Sequence, residues 1–180
     1  MIALEDWRGH GIGTVRIVFG LVWAIDAQFK WRSDFVHGFV SYLTGALTNQ
    51  PPLVQHWIGF WIDVAKVDPT IFAYVVALSE TALAIALILG VLTDVACLGG
   101  VLLCLVIWST AEGLGGPYVA GSTDIGTAII YVFVFVLLFL TRAGLYYGID
   151  RRLAGTLGSL SWLASGPADR LGTGTGAQLP

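Results

Sequence analysis

The chain has 180 residues, 56% hydrophobic and only 12% charged, with a formal net charge of −3. Soluble domains carry about 25% charged residues. A mean hydropathy of +0.79 is more apolar surface than a domain of this size can hide from water, so the expected solvent is lipid. A disordered chain is excluded, and so is a nucleic-acid binder: nine Lys and Arg are outnumbered by twelve Asp and Glu, leaving no basic patch to neutralise phosphates.

Residues 1–10 carry Glu5 and Asp6, and no small-residue cleavage site follows the first apolar run, so no signal peptide is expected. Four stretches approach the roughly 20 helical residues that cross a bilayer. The first covers about 12–30 and holds Arg16, Asp26 and Lys30; the second covers 70–92, follows Pro69 and holds one charge, Glu80. The third covers 95–111 and the fourth 125–147, uncharged as far as Thr141. All four are apolar all round rather than alternating with period two, which predicts helices and not barrel strands.

The connections differ. The second and third runs are joined by little more than Thr93 and Asp94, which predicts a tight antiparallel hairpin. A Gly-rich stretch with Pro117 and Tyr118 joins the third to the fourth. Between the first and second, residues 35–48 and 53–67 read as amphipathic helices broken by Asn49, Gln50, Pro51 and Pro52. Trp57, Phe60, Trp61 and Val64 recur there at helical spacing, which suits a membrane interface or a lid over the mouth of a bundle. The predicted fold is therefore all-α: a four-helix integral membrane bundle over 1–150, with an amphipathic, Trp-rich outer segment at 35–67. Residues 151–180 read as a cytoplasmic tail, disordered over 171–180. Arg8, Arg142, Arg151, Arg152 and Arg170 fall on the side of both termini, so the positive-inside rule puts that side in the cytoplasm.

An ionisable side chain at the centre of a membrane helix costs about 2.5–3.5 kcal/mol on insertion scales, so each one has to be paired, neutralised or wetted. Glu80 is mid-helix, where it cannot snorkel, and Arg16 is its expected partner. Counting about 1.5 Å per residue from the outer helix ends puts the two within an Arg side chain of each other. That pair reads equally as a register-fixing ion pair and as a proton-handling or ligand-binding carboxylate. Asp26 and Lys30 stand four apart, the spacing of an intrahelical ion pair near the outer mouth. Asp124 reads either as an N-terminal carboxylate of the fourth helix, beside Ser122 and Thr123, or as part of a polar mouth. Trp23, Trp31, Trp57 and Trp61 would roof that mouth, which suits an amphipathic ring such as a quinone headgroup; as interface anchors they need no ligand. His10, His37 and His56 form no i, i+3 or i, i+4 pair and there is no CxxC, so no metal site is expected. On a helix, Cys97 and Cys104 would lie about 10.5 Å apart, too far for a disulfide, and read as packing residues.

Several pieces in order resemble the DoxX/DoxD family of small four-helix membrane proteins. They are TVRIVFGLVWAIDAQFKW with Arg16, Gly20 and Lys30; SETALAIALILGVLTD with Glu80, Gly90 and Thr93; GSTDIGTAIIYV with Asp124; and AGLYYGID with Gly144 and Asp150. Asp26 stands where many members have a small residue, and the long outer segment looks more like the thiosulfate:quinone oxidoreductase DoxD branch. The resemblance implies a plasma-membrane subunit of an oxidoreductase assembly with quinone as electron acceptor, and it carries no family role onto Asp26. Placement of the charges in the helices makes Glu80 and Arg16 the expected catalytic residues, with Asp26, Lys30, Trp23 and Asp124 expected around a quinone. No redox cofactor motif is visible, so a partner protein or a bound quinone would carry the electrons. Two other readings stand beside it: a membrane anchor for a redox partner docking on the outer segment, and a small-solute or proton carrier. The lipid bilayer and a protein partner or a second copy are the expected associates.

Overall fold

The computed structural model describes residues 2–166, with side chains from residue 7 onward; the disorder expected at 171–180 falls outside them. Among the described residues the structure is helical, with no strand. The α-helices are α1 (Ile2–Lys30), α2 (Ser33–Gly45), α3 (Pro52–Ala65), α4 (Pro69–Leu89), α5 (Thr93–Ser109), α6 (Thr127–Leu140) and α7 (Asp150–Thr156).

Local chemistry sets several of these boundaries. Pro52 and Pro69 open α3 and α4, where a missing N–H costs nothing. The Asp68 carboxylate accepts from the Ile71 N–H at 3.0 Å and caps α4. α4 ends at Gly90, which takes the left-handed conformation (φ 62°) that a Cβ disfavours. The hairpin between α4 and α5 is as tight as expected, with its turn at Gly90–Leu92 rather than at Thr93 and Asp94, which begin α5. The fourth apolar run is shorter than expected. It stops at Leu140 because Arg142 adopts a left-handed φ of 52° and a 3-10 turn over Ala143–Leu145 follows.

α1 packs along α4, α4 against α5, and α5 along α6, while α2 and α3 pack on each other and α2 on α4. The central core joins α1, α4, α5 and α6 through Phe19, Trp23, Leu83, Leu87, Cys97, Cys104, Phe135 and Leu138. Phe19, Trp23, Tyr131 and Phe135 form an aromatic cluster with ring centroids 5.0–6.2 Å apart. A second core, with Val36, Phe39, Leu43, Ile58, Ile62 and Ala73, holds α2 and α3 on the first turns of α4. Both cysteines are free and buried.

Polarity is inverted relative to a water-soluble protein. Arg16, Glu80 and Asp150 are each 0% exposed, whereas Leu102 (67%), Phe133 (65%) and Leu140 (71%) face outward. That inversion is what a lipid solvent selects. Trp7–Lys30 and Pro69–Leu89 are long and apolar enough to cross a membrane; α5 and α6 are shorter apolar helices.

Beyond α6 the chain folds back onto the α4–α5 hairpin. Asp150 accepts from the Leu92 N–H at 2.6 Å and the Thr93 N–H at 2.8 Å, capping α5 from 57 residues away. Its own N–H donates to Gly90 O at 2.8 Å. A 3-10 segment over Gly158–Ala164 follows α7, and Ser165 Oγ donates to Asp94 at 2.8 Å. Gly144 lies so close to Asp150, Thr93 and Ser165 that a Cβ there would collide with all three.

Candidate functional site

The register between α1 and α4 decides where the buried charges meet. Gly20 allows contact: a Cβ there would sit 2.9 Å from both Leu87 Cβ and the Ile88 backbone. With Gly20 level with Leu87 and Ile88, the C-terminal end of α1 falls level with Glu80, where Trp31 Nε1 donates to Thr81 Oγ1 at 3.0 Å. The first turns of α4 therefore extend past the end of α1 and carry α2 and α3.

This register overturns the expected Arg16–Glu80 pair. Arg16 lies about two turns of α4 away from Glu80, donating to Leu87 O at 2.6 Å and Tyr146 O at 3.1 Å. Its guanidinium satisfies carbonyls at the end of α4 and in the returning chain, and it would meet any Cβ placed at Gly90. The partner of Glu80 is Lys30. Lys30 Nζ stands 3.1 Å from Glu80 Oε2 and 3.0 Å from Asp26 Oδ2. Both helical neighbours of Lys30 are thus used: Asp26 within α1 at the predicted spacing, and Glu80 across to α4. The side chains grade outward, with Glu80 0%, Lys30 15% and Asp26 47% exposed.

The triad borders a cavity of about 530 Å³, within the range of small-molecule sites. Trp23, Asp26 and Lys30 of α1, Glu80 of α4, Cys104 and Ile107 of α5 and Tyr131 of α6 line its body. Phe35, Phe39 and Tyr42 of α2 and Trp61 of α3 line its outer part, which is partly open. Lys30 Nζ lies 5.6 Å from the Phe35 ring centroid, a cation–π distance. Three lining residues hold buried polar atoms with no hydrogen-bond partner: Glu80 Oε1, Trp23 Nε1 and Trp61 Nε1. Buried polar groups are normally paired; these three atoms lie beside the cavity, each covered by the surrounding side chains.

Asp124 does not join this site. It is exposed, and its Oδ1 accepts from the Ile125 and Gly126 N–H groups at 2.6 and 3.2 Å, closing a turn before α6 begins at Thr127. Nor do Ser122 and Thr123 cap α6. Glu112 does so, both carboxylate oxygens lying 3.0–3.2 Å from the Ala128 N–H, and Glu112 also lines the cavity. Of the four tryptophans expected to roof the mouth, Trp23 and Trp61 line it; Trp31 packs on Tyr74 and Trp57 on Phe60 outside it. The outer lining residues Phe35, Phe39 and Tyr42 went unread as a site, although their i, i+4, i+7 spacing on one helical face carried the signal. Burial raises the Tyr42 phenol above its ordinary value; Lys30 opposes the rise, and Glu112, Asp26 and Glu80 add to it.

The family model for DoxX matches residues 11–113. This chain belongs to the DoxX family. The match runs from residue 11, within α1, to Gly113, and so includes Arg16, Asp26, Lys30, Glu80 and Glu112, but not α6 or the returning segment. No curated protein and no solved structure matches the chain. As a DoxX-family membrane protein, its interior charges sit in apolar helices, where each carries a desolvation cost that pairing has to offset. Among the described residues no group of His, Cys, Asp and Glu is arranged to hold a metal ion.

Proposed function

We propose that this DoxX protein is a four-span plasma-membrane subunit of a quinone-linked oxidoreductase, DoxD-like in type, and that the quinone headgroup sits in the cavity beside Glu80, Lys30 and Asp26. The observation that carries the proposal is the cavity's composition: aromatic walls and a buried carboxylate–ammonium pair. Planar rings with oxygen at each end fit such a chamber, stacking on aromatic side chains while an oxygen faces the ammonium. A bound quinone supplies the two-electron, two-proton carrier for which the chain has no motif.

The chain's own residues have separable roles in this reading. Trp23, Tyr131, Phe35 and Phe39 hold the ring. Lys30 offers a donor to a ring oxygen, and Glu80 holds or accepts a proton at the buried end. Asp26 keeps Lys30 oriented and is its link to the outside. Arg16 and Asp150 act at the opposite end of the bundle, where they join α1, α4, α5 and the returning chain. The cavity's charges also argue that a sulfur oxyanion is handled elsewhere. Asp26, Glu80 and Glu112 set three carboxylates against the single ammonium of Lys30, and like charge at close range repels an anion. A partner protein would then take an anionic reductant, consistent with a subunit role and with docking on the outer segment.

α5 and α6 complete the four spans in this reading, with both termini on the cytoplasmic side, where Arg8, Arg142, Arg151 and Arg152 collect. The test is purification from native membranes in mild detergent. The expected result is co-extracted quinone, an associated redox protein, and thermal stabilisation by a short-tailed benzoquinone that Trp61→Leu weakens. Protein that neither retains nor responds to any quinone overturns the proposal.

A further inference from the structure

The wall of the cavity also bears on how a ligand reaches it, an inference that rests on the quinone reading for the ring and adds the rest of the molecule. α4 and α5 are joined by the turn at Gly90–Leu92, yet farther out both helices line the cavity. Around α4 the lining runs from Glu80, which is buried, through Val76, partly buried, to Val75, 52% exposed. Around α5 it runs the same way, from buried Cys104 through Leu103 to Val106, 45% exposed. Val75 stands 15 residues before Gly90 and Val106 stands 14 after Leu92. At about 1.5 Å per residue the two are level, about 21–22 Å from the turn. A wall that grades from buried to exposed on both helices at one height opens between them. The hairpin is closed at its turn and open toward its other end.

The surroundings of this opening are apolar. Ile71 and Leu78 on α4 and Leu102 and Leu105 on α5 are all exposed. The turn, with its Asp150 and Asp94 hydrogen bonds, suits one edge of the bilayer, and a height of about 21–22 Å above it falls inside the roughly 30 Å hydrocarbon core. The cavity wall reaches the surface at a second place, Asp26, whose side chain is 47% exposed and pairs with Lys30. The cavity thus has a polar mouth on α1 and an apolar mouth between α4 and α5 that faces lipid.

We infer that the ligand enters from the bilayer between α4 and α5 and is an amphiphile, its ring beside Lys30 and Glu80 and its hydrocarbon chain passing out between Val75 and Val106. A cavity of about 530 Å³ suits a drug-sized molecule, not a ring together with a chain of lipid length, so the chain has to leave. Leaving past Asp26 would lay methylenes over a carboxylate and strip its water, which is costly. Between Val75 and Val106 the chain keeps the apolar surroundings it had in the membrane. Lipid tails are as apolar as these side chains, so the chain adds little affinity. The gap decides which ligands can enter rather than how tightly the ring is held.

The test uses the full chain in phosphatidylcholine nanodiscs and two probes, a tailless benzoquinone and the same ring carrying a long prenyl chain. Val75→Phe/Val106→Phe fills the gap; Leu78→Phe/Leu102→Phe adds the same bulk at lipid-facing positions outside the cavity lining. Wild type is expected to bind both probes. The gap-filled variant should lose the prenyl probe by roughly tenfold or more, the scale of forcing extra atoms into an occupied slot, while still binding the tailless ring. The control variant should bind both as wild type does. Undiminished binding of the prenyl probe to the gap-filled variant overturns the inference, as does an equal loss in the control. Wild type that takes the tailless ring but not the prenyl one overturns it too, and leaves the ring site intact. If wild type binds neither, the ring site itself falls and this inference with it. A prenyl probe with a photoreactive group on its first chain unit decides the matter on wild type alone, even where the variants fail to fold: adducts are expected on α4 and α5 around Val75 and Val106, and adducts confined to α1 and α6 overturn the path.

Discussion

Lys30→Met, Glu80→Gln and their double variant test the ion triad through an asymmetry in its geometry. Lys30 faces two carboxylates, Asp26 at 3.0 Å and Glu80 at 3.1 Å, whereas Glu80 faces one ammonium. Removing the ammonium strands a carboxylate that is 0% exposed, while the Asp26 side chain, 47% exposed, can turn to solvent. Breaking a buried pair from one side costs about 3–5 kcal/mol, so Lys30→Met belongs in that range. Glu80→Gln leaves Lys30 with Asp26 and replaces one charged acceptor by a neutral one, a loss of about 1–2 kcal/mol. In the double variant no charge is stranded beside Glu80. Its loss should fall below that of Lys30→Met alone, giving a coupling energy larger than the Glu80→Gln loss of about 1–2 kcal/mol rather than the near-additivity of independent sites. In a chain of this size about 1 kcal/mol moves Tm by roughly 2–4 °C. Thermal unfolding in detergent should then place Lys30→Met lowest and the double variant above it. Additive losses, or Glu80→Gln falling below Lys30→Met, would refute the account of which partner depends on which.

Asp150→Ala should cost about 3 kcal/mol in the same assay, because it removes two charge-assisted hydrogen bonds, to the Leu92 and Thr93 N–H groups, at a fully buried site. Asp150→Asn, which keeps one acceptor, should recover part of that loss. Gly20→Val should separate α1 from α4 at Leu87 and Ile88, lowering Tm and removing ligand stabilisation together, because the same register brings Lys30 to Glu80. Asp124→Ala should change stability by less than about 1 kcal/mol, as expected for an exposed turn residue. Glu112→Ala should cost more, about 1–2 kcal/mol, by uncapping α6 beside the cavity.

Composition and the lengths of the apolar runs were enough to establish helices in lipid. Both depend on local quantities: the cost of an unpaired backbone group, the span of a turn, and the conformations open to Pro69 or Gly90. The Asp26–Lys30 pair was legible for the same reason, being a contact within one helix. The partner of Glu80 was not. Counting residues from helix ends assumes that the ends are level, and here α4 runs past the end of α1 because Gly20 seats against Leu87 and Ile88 and the α2–α3 pair occupies the extra turns. That register moves Arg16 to carbonyls at the other end of α4 and brings Lys30 to Glu80. Glu112 and Asp150 were hidden for a related reason. Each caps a helix from far along the chain, 16 and 57 residues away, and no spacing rule reaches that distance. Side chains that act through space take their roles from how whole helices slide and pack, a balance of close contacts summed over the molecule rather than a preference written at any one position.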